Sequence, residues 1–100
     1  VNELGTIDAT VEKIAYSAFL HTRLEWLMRR FGVTHLVVGG ITTNGGVAST
    51  VRDAHSRGFA VTVLSDGCAA FDPRVHDATL ASFSGVADVT TIDEYTKGIT

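Results

Sequence analysis

Three short runs rich in β-branched residues, "HLVV" from His35, "FAVTVL" from Phe59 and "ADVTT" from Ala87, alternate with segments whose apolar residues recur at helical spacing. This alternation leaves few folds open. A strand that is apolar on both faces wants cover on both, and the stretch between two such strands is long enough for a helix. The order reads helix, strand, helix, strand, helix, strand, helix, which implies a parallel sheet with right-handed crossovers. The expected class is α/β, a three-layer α/β/α arrangement around a parallel sheet.

Local signals set the boundaries. Thr22 with Glu25 reads as a capping box, and Leu24, Leu27, Met28 and Phe31 then share a helical face that stops at Gly32. "HLVVGG" reads as a central strand covered by helices on both sides. Val47, Thr50, Val51 and Ala54 give a second stripe, closed by Gly58. Asp72 and Pro73 suit the cap and first turn of a helix running to about Phe83. Thr91 and Glu94 form a second capping box. Before Thr22 the signals are weak: a loop, with a short strand around Thr10 to Lys13.

Composition excludes several classes. The chain has 100 residues, 45% of them apolar, and a single proline, as expected for one compact domain. A net charge of −3 gives no reason to expect a nucleic-acid partner, which would favour a strongly basic face. No apolar run suits a membrane span, and no secretory pattern is visible. One cysteine, Cys68, forms no intrachain disulfide and suits a reducing cytoplasm. The chain begins at Val1 and its only methionine is Met28. It is therefore expected to be a single domain over 1–100 that is incomplete at its amino terminus.

In parallel sheets ligands bind beyond the carboxyl ends of the strands. That points to Gly39–Gly46, Ser65–Phe71 and the turn near Thr90. "GGITTNGG" is a poor phosphate loop, because Val47 and Ala48 stand where a lysine and a hydroxyl residue would be needed. Close packing of strand against helix explains its glycines as well. Lys13, ahead of an aromatic and small-residue run, suggests a cation beside a walled cavity, although a lone lysine is more often simply solvated. Ser17 and Thr22 read as structural.

His21, His35, His55 and His76 show no metal-ligand spacing, and no metal site is expected. His55 reads as solvated, and His76 as a packing or capping residue. Cys68 lies in a "DGCAA" turn with no fixed base beside it, so an ordinary half-buried thiol is expected. Asp66 reads as the cap of the turn that follows it.

Taken in order from about Val11 to Tyr95, these segments resemble the second half of the isochorismatase-like hydrolase family, the cysteine hydrolases. The match comprises the lysine ahead of "YSAF", the threonine before a helix, the strand into "GGITTN", the "VASTVRDA" helix and "SDGCAA" after the next strand. The resemblance implies a Rossmann-like sheet and a catalytic aspartate, lysine and cysteine. Lys13 matches the lysine, and Gly46 occupies the cysteine position. It also implies a cis peptide at Ile41–Thr42, an oxyanion hole from the N–H groups of Thr42 and Gly46, and a substrate pocket near Tyr16, Phe19, Thr43 and Asn44. A cysteine in that position is activated by the helix start and the lysine together, both of which stabilise the thiolate.

Two departures shape the functional expectation. Gly46 supplies no thiol, and the aspartate-bearing first half is absent from these residues. Asp66 is the nearest substitute acid, but capping is its better role. Isochorismatases proper also carry glycine there; their aspartate protonates a vinyl ether and water captures the cation. The resemblance thus implies a cysteine-independent hydrolase acting on a small molecule, without cofactor, nucleic acid or membrane partner, as a cytoplasmic homo-oligomer. The alternatives are an inactive homologue or assembly subunit, and an amidase-type relative that has lost its nucleophile.

Overall fold

The computed structural model describes residues 9–99 of the chain. Its elements are α1 (Leu24–Arg30), β1 (His35–Ile41), a π-helical turn (Thr43–Val47) that runs into α2 (Ala48–Ser56), β2 (Ala60–Ala69), α3 (Pro73–Ala81), β3 (Asp88–Thr90) and α4 (Ile92–Ile99). The three strands form a parallel sheet in the order β1-β2-β3. The α/β class and the alternation of strand and helix therefore match the periodicity.

One face of the sheet carries the core. Leu36 and Val38 of β1 and Val61 and Val63 of β2 pack with Val47, Ala48, Val51 and Ala54 from the turn and α2. Phe59, Phe83, Met28 and Phe19 close the cluster. Each fully buried side chain of this kind contributes roughly 1.5–3 kcal/mol relative to exposure. The opposite face of β1 is open, with His35 and Val37 exposed. Among the described residues β1 pairs only with β2, so β2 takes the central position expected for β1. An all-apolar run reports what a strand can bury, not which neighbours it meets.

Four boundaries differ from the local signals. The strand expected around Thr10–Lys13 does not form among the described residues, and the first eight residues lie outside them. The Thr22–Glu25 capping box does not form either. Thr22 Oγ1 accepts from Leu24 N at 3.2 Å and donates to the Ala18 carbonyl, while Glu25 turns outward to Arg29 and Arg57, each at 2.9 Å. Two guanidinium partners outweigh one backbone N–H. Helix α3 ends at Ala81, two residues before Phe83.

The fourth difference matters most for the site. "SDGCA" is strand, not turn. Val38 pairs with Val63, but the next pairs are Gly40 with Cys68 and Ile41 with Ala69. Two steps along β1 thus match five along β2, a bulge that swallows Leu64–Gly67 and lets pairing resume. Asp66 leaves the bulge to accept from Ile92 N at 2.8 Å, so it caps the start of α4 rather than its own turn.

Two local expectations hold. Asp72 Oδ1 accepts from Arg74 N at 2.9 Å at the head of α3. Thr91 Oγ1 accepts from Glu94 N at 3.1 Å, and Glu94 reaches back to Thr91 N at 3.4 Å.

Candidate active site

Strand β1 ends in Gly39, Gly40 and Ile41, and the Ile41–Thr42 peptide bond is cis. The chain then winds into the π-helical turn. The Thr42 carbonyl accepts from both Gly45 N and Val47 N, each at 3.1 Å. Val47 anchors the turn from below in the core, and Thr43 is wholly buried. The Thr43 hydroxyl lies 2.7 Å from His76 Nδ1 on the first turn of α3.

The second component is the loop before α1. Lys13 Nζ donates to the carbonyls of Tyr16 at 2.7 Å and Ala15 at 3.1 Å. Short polar side chains hold this loop. Ser17 Oγ accepts from Phe19 N at 3.1 Å, and Thr50 Oγ1 of α2 accepts from Ala18 N at 2.9 Å. The Phe19 ring plugs the loop into the core, stacked on Phe59 with centroids 6.0 Å apart and with the Arg57 guanidinium 5.1 Å from its own centroid. "YSAF" is thus the fastening that presents the lysine.

These components converge at Gly46. A Cβ built there would lie 3.2 Å from Lys13 Nζ, 3.3 Å from the Tyr16 carbonyl and 3.6 Å from that of Ile41. A cleft of about 180 Å³ runs past this point, lined by Lys13, Ala18, Gly39, Gly40, Ile41, Gly46 and Thr50 among others. An adjoining hollow is lined by Lys13, Ile14, Ala15 and Tyr16. Ile41, which lines the cleft, exposes its apolar side chain.

Lys13 and Gly46 are therefore neighbours in space. The expected pocket residues are placed differently. Tyr16 borders the adjoining hollow, and its ring lies 3.6 Å from a Cβ built at Gly45. Phe19 faces the core, because an aromatic ring beside Phe59 buries more apolar surface there than at a polar cleft. Thr43 points inward to His76, and Asn44 is exposed on the outside of the turn. Neither lines the cleft. Gly39, Gly40, Ile41, Ala18 and Thr50 do, and only the rule about strand carboxyl ends pointed to the first three.

Cys68 sits across from Gly40, half-buried. Burial pushes its thiol above the ordinary range, and a hydrogen bond from the Gly40 backbone only partly offsets this. The shift is opposite to what a nucleophile requires. No ion pair among the described residues includes Lys13. No three potential metal-ligating side chains cluster among them, and no helix there is long and apolar enough to cross a membrane. His35 and His55 line a separate groove at the starting ends of the strands, where His35 Nε2 lies 2.8 Å from Thr62 Oγ1. His21 is exposed.

The sequence model of the family described as Isochorismatase domain matches residues 1–94. The chain is 39% identical over 77 residues to Nicotinamidase 3 of Arabidopsis thaliana, covering 77% of this chain and 39% of that protein. It is 35% identical over 94 residues to the uncharacterized isochorismatase family protein YecD of Escherichia coli O157:H7, covering 91% and 50%. The crystal structure of an isochorismatase-like hydrolase from Alkaliphilus metalliredigens superposes with a TM-score of 0.90 at 32% identity, over 95% of this chain and 54% of that one. The chain thus spans about half the length, or less, of these relatives.

Proposed function

The chain belongs to the isochorismatase family, and from that premise we propose that it supplies the lysine and backbone half of a cysteine-independent hydrolase site. The substrate class is a vinyl ether or related small molecule, and the nucleophile is water. The observation that carries this reading is the vacancy at Gly46, where the missing Cβ would face Lys13 Nζ at 3.2 Å. A cysteine there would be a nucleophile poised by a cation. Glycine leaves that space to water or to the substrate.

In the proposed reaction a carboxylic acid outside the described residues protonates the vinyl carbon. Water adds to the oxocarbenium ion and returns a proton, and the hemiketal then collapses to a ketone and an alcohol. Lys13 stabilises negative charge in the cleft, while the N–H groups of Thr42 and Gly46 receive oxygen lone pairs as charge shifts. The same reading takes no cofactor and places the protein in the cytoplasm as a homo-oligomer.

The rival reading is an inactive homologue. It draws on one observation: the Lys13 ammonium is already held by two loop carbonyls, and no described carboxylate reaches it. Assay of the protein in its full-length or assembled form, against isochorismate, simple vinyl ethers and aromatic amides, separates the two. Vinyl-ether turnover that falls about a hundredfold or more in Lys13→Ala supports the hydrolase. Turnover of no substrate supports the inactive homologue. Amide hydrolysis that appears only in Gly46→Cys identifies an amidase scaffold that has lost its nucleophile.

A further inference from the structure

The Thr43–His76 contact is the side-chain hydrogen bond that ties the turn to α3, an element packed against it. Helix α3 fully buries none of its side chains, and Leu80 packs, partly buried, against the core cluster. Its first turn is nevertheless well defined. Pro73 opens it, the Asp72 carboxylate caps it, and His76 N donates to the Asp72 carbonyl at 3.0 Å. The imidazole therefore projects from a prearranged turn. Its Nδ1 reaches a hydroxyl that is completely buried and lies 33 residues earlier in the chain. A buried hydroxyl that loses its partner bears the full desolvation cost, so the bond is hard to break without moving the turn.

We propose that His76 is a positioning residue: by holding Thr43 it fixes the Thr43–Val47 turn, and so sets the backbone N–H of Gly46 at the cleft. The proposal rests on reading that turn as the hydrolytic site. Val47 holds the turn only from below, and Thr50 steers the Lys13 loop rather than the turn. His76 is the lateral hold. The bond survives either tautomer, because the hydroxyl donates to a bare Nδ1 and accepts from a protonated one. Placement errors of a few tenths of an ångström in such N–H groups weaken charge stabilisation steeply, so a side chain outside the cleft can govern it.

The test uses the full chain carrying Gly46→Cys and Cys68→Ser, which leaves one thiol in the cleft. Its alkylation by iodoacetamide is followed against pH. Adding His76→Phe, which keeps a ring but removes Nδ1, is expected to slow alkylation at pH 7 about threefold or more by raising the thiol's pKa. His76→Asn, whose amide reaches the Nδ1 position, is expected to restore the profile. Thr43→Val deletes the hydroxyl at nearly constant volume and provides a second arm if the ring replacement prevents folding. An unchanged profile in either variant, or a shift that His76→Asn fails to restore, overturns the proposal. The readout needs no turnover, so an inactive protein would defeat the hydrolase reading while leaving this result to stand or fall by itself.

Discussion

Gly39–Gly40 and Gly45–Gly46 look interchangeable in the sequence, yet the structure uses them differently. The first pair serves the backbone. Gly40 sits at φ 136°, where a side chain is strained, and a Cβ at Gly39 would come within 3.1 Å of the Gly67 carbonyl across the bulge. The second pair serves the turn and the cleft. A Cβ at Gly45 would meet Thr42 Oγ1 at 2.6 Å, whereas at Gly46 it would meet the end of a lysine at 3.2 Å and the Tyr16 carbonyl at 3.3 Å. An ammonium on a four-carbon stem can yield, and that carbonyl belongs to the loop before α1 rather than to a paired strand. Gly46 is therefore the position of the four whose crowding is easiest to relieve.

Substitutions can break or sharpen that contrast. Gly40→Ala is expected to cost the most stability, about 2 kcal/mol, read from denaturant unfolding. A loss near zero would remove the backbone argument. Gly39→Ala should cost about 1 kcal/mol, because the opposing carbonyl has to shift with its strand. Gly46→Ala is the converse case. Its contact strain and the gain in helix propensity nearly cancel, leaving stability within about 0.5 kcal/mol of the parent. A large loss there would mean that Gly46 too is architectural.

Two finer comparisons use pH. In a chain carrying Gly46→Cys, the introduced thiol beside Lys13 is expected to alkylate at lower pH than Cys68, whose burial moves its titration above the ordinary range. Equal profiles would show that the cleft does not favour an anion. The smallest effect is expected away from the site, at Glu25. Arg29 first holds its carboxyl below the ordinary value of 4.5; desolvation opposes this, and Arg57 adds to the lowering. Its contribution is fully present above that value and is lost as pH falls through the lower folded-state value. Glu25→Gln should therefore lower stability slightly at neutral pH and leave it almost unchanged below the folded-state value, which flattens the profile between the two.

Much of the fold was legible because its causes are local. The stripe on α2, the Asp72–Pro73 start of α3 and the Thr91–Glu94 box each depend on residues within a turn or two of one another. The Thr22–Glu25 pair has the same spacing but fails, because Arg57 is 32 residues from Glu25 in sequence yet adjacent in space. The end of β2 was misread for a related reason. "SDG" has turn chemistry, and it does form an irregularity, but the strand recovers once Cys68 finds Gly40 beside it.

The site divides along the same line. Lys13 and Gly46 were found through the resemblance of ordered motifs, and the structure brings them together. Phe19 and Thr43 belong to the same motifs but turn inward, one to Phe59 and the other to His76. Motif membership reports that a residue matters without saying which way it faces.

The sequence by itself determined the alternation of strand and helix, the family, and the absence of a thiol from the turn at Gly46. These follow from residue identity and short-range spacing. Only the tertiary structure decided that β1 pairs with β2 alone among the described residues, that β2 resumes beyond its bulge, that the "YSAF" loop folds Lys13 back over Gly46, and that His76 reaches Thr43. Each of those depends on partners brought together by the packing of the sheet, and their sequence separation carries no signal of the distance between them.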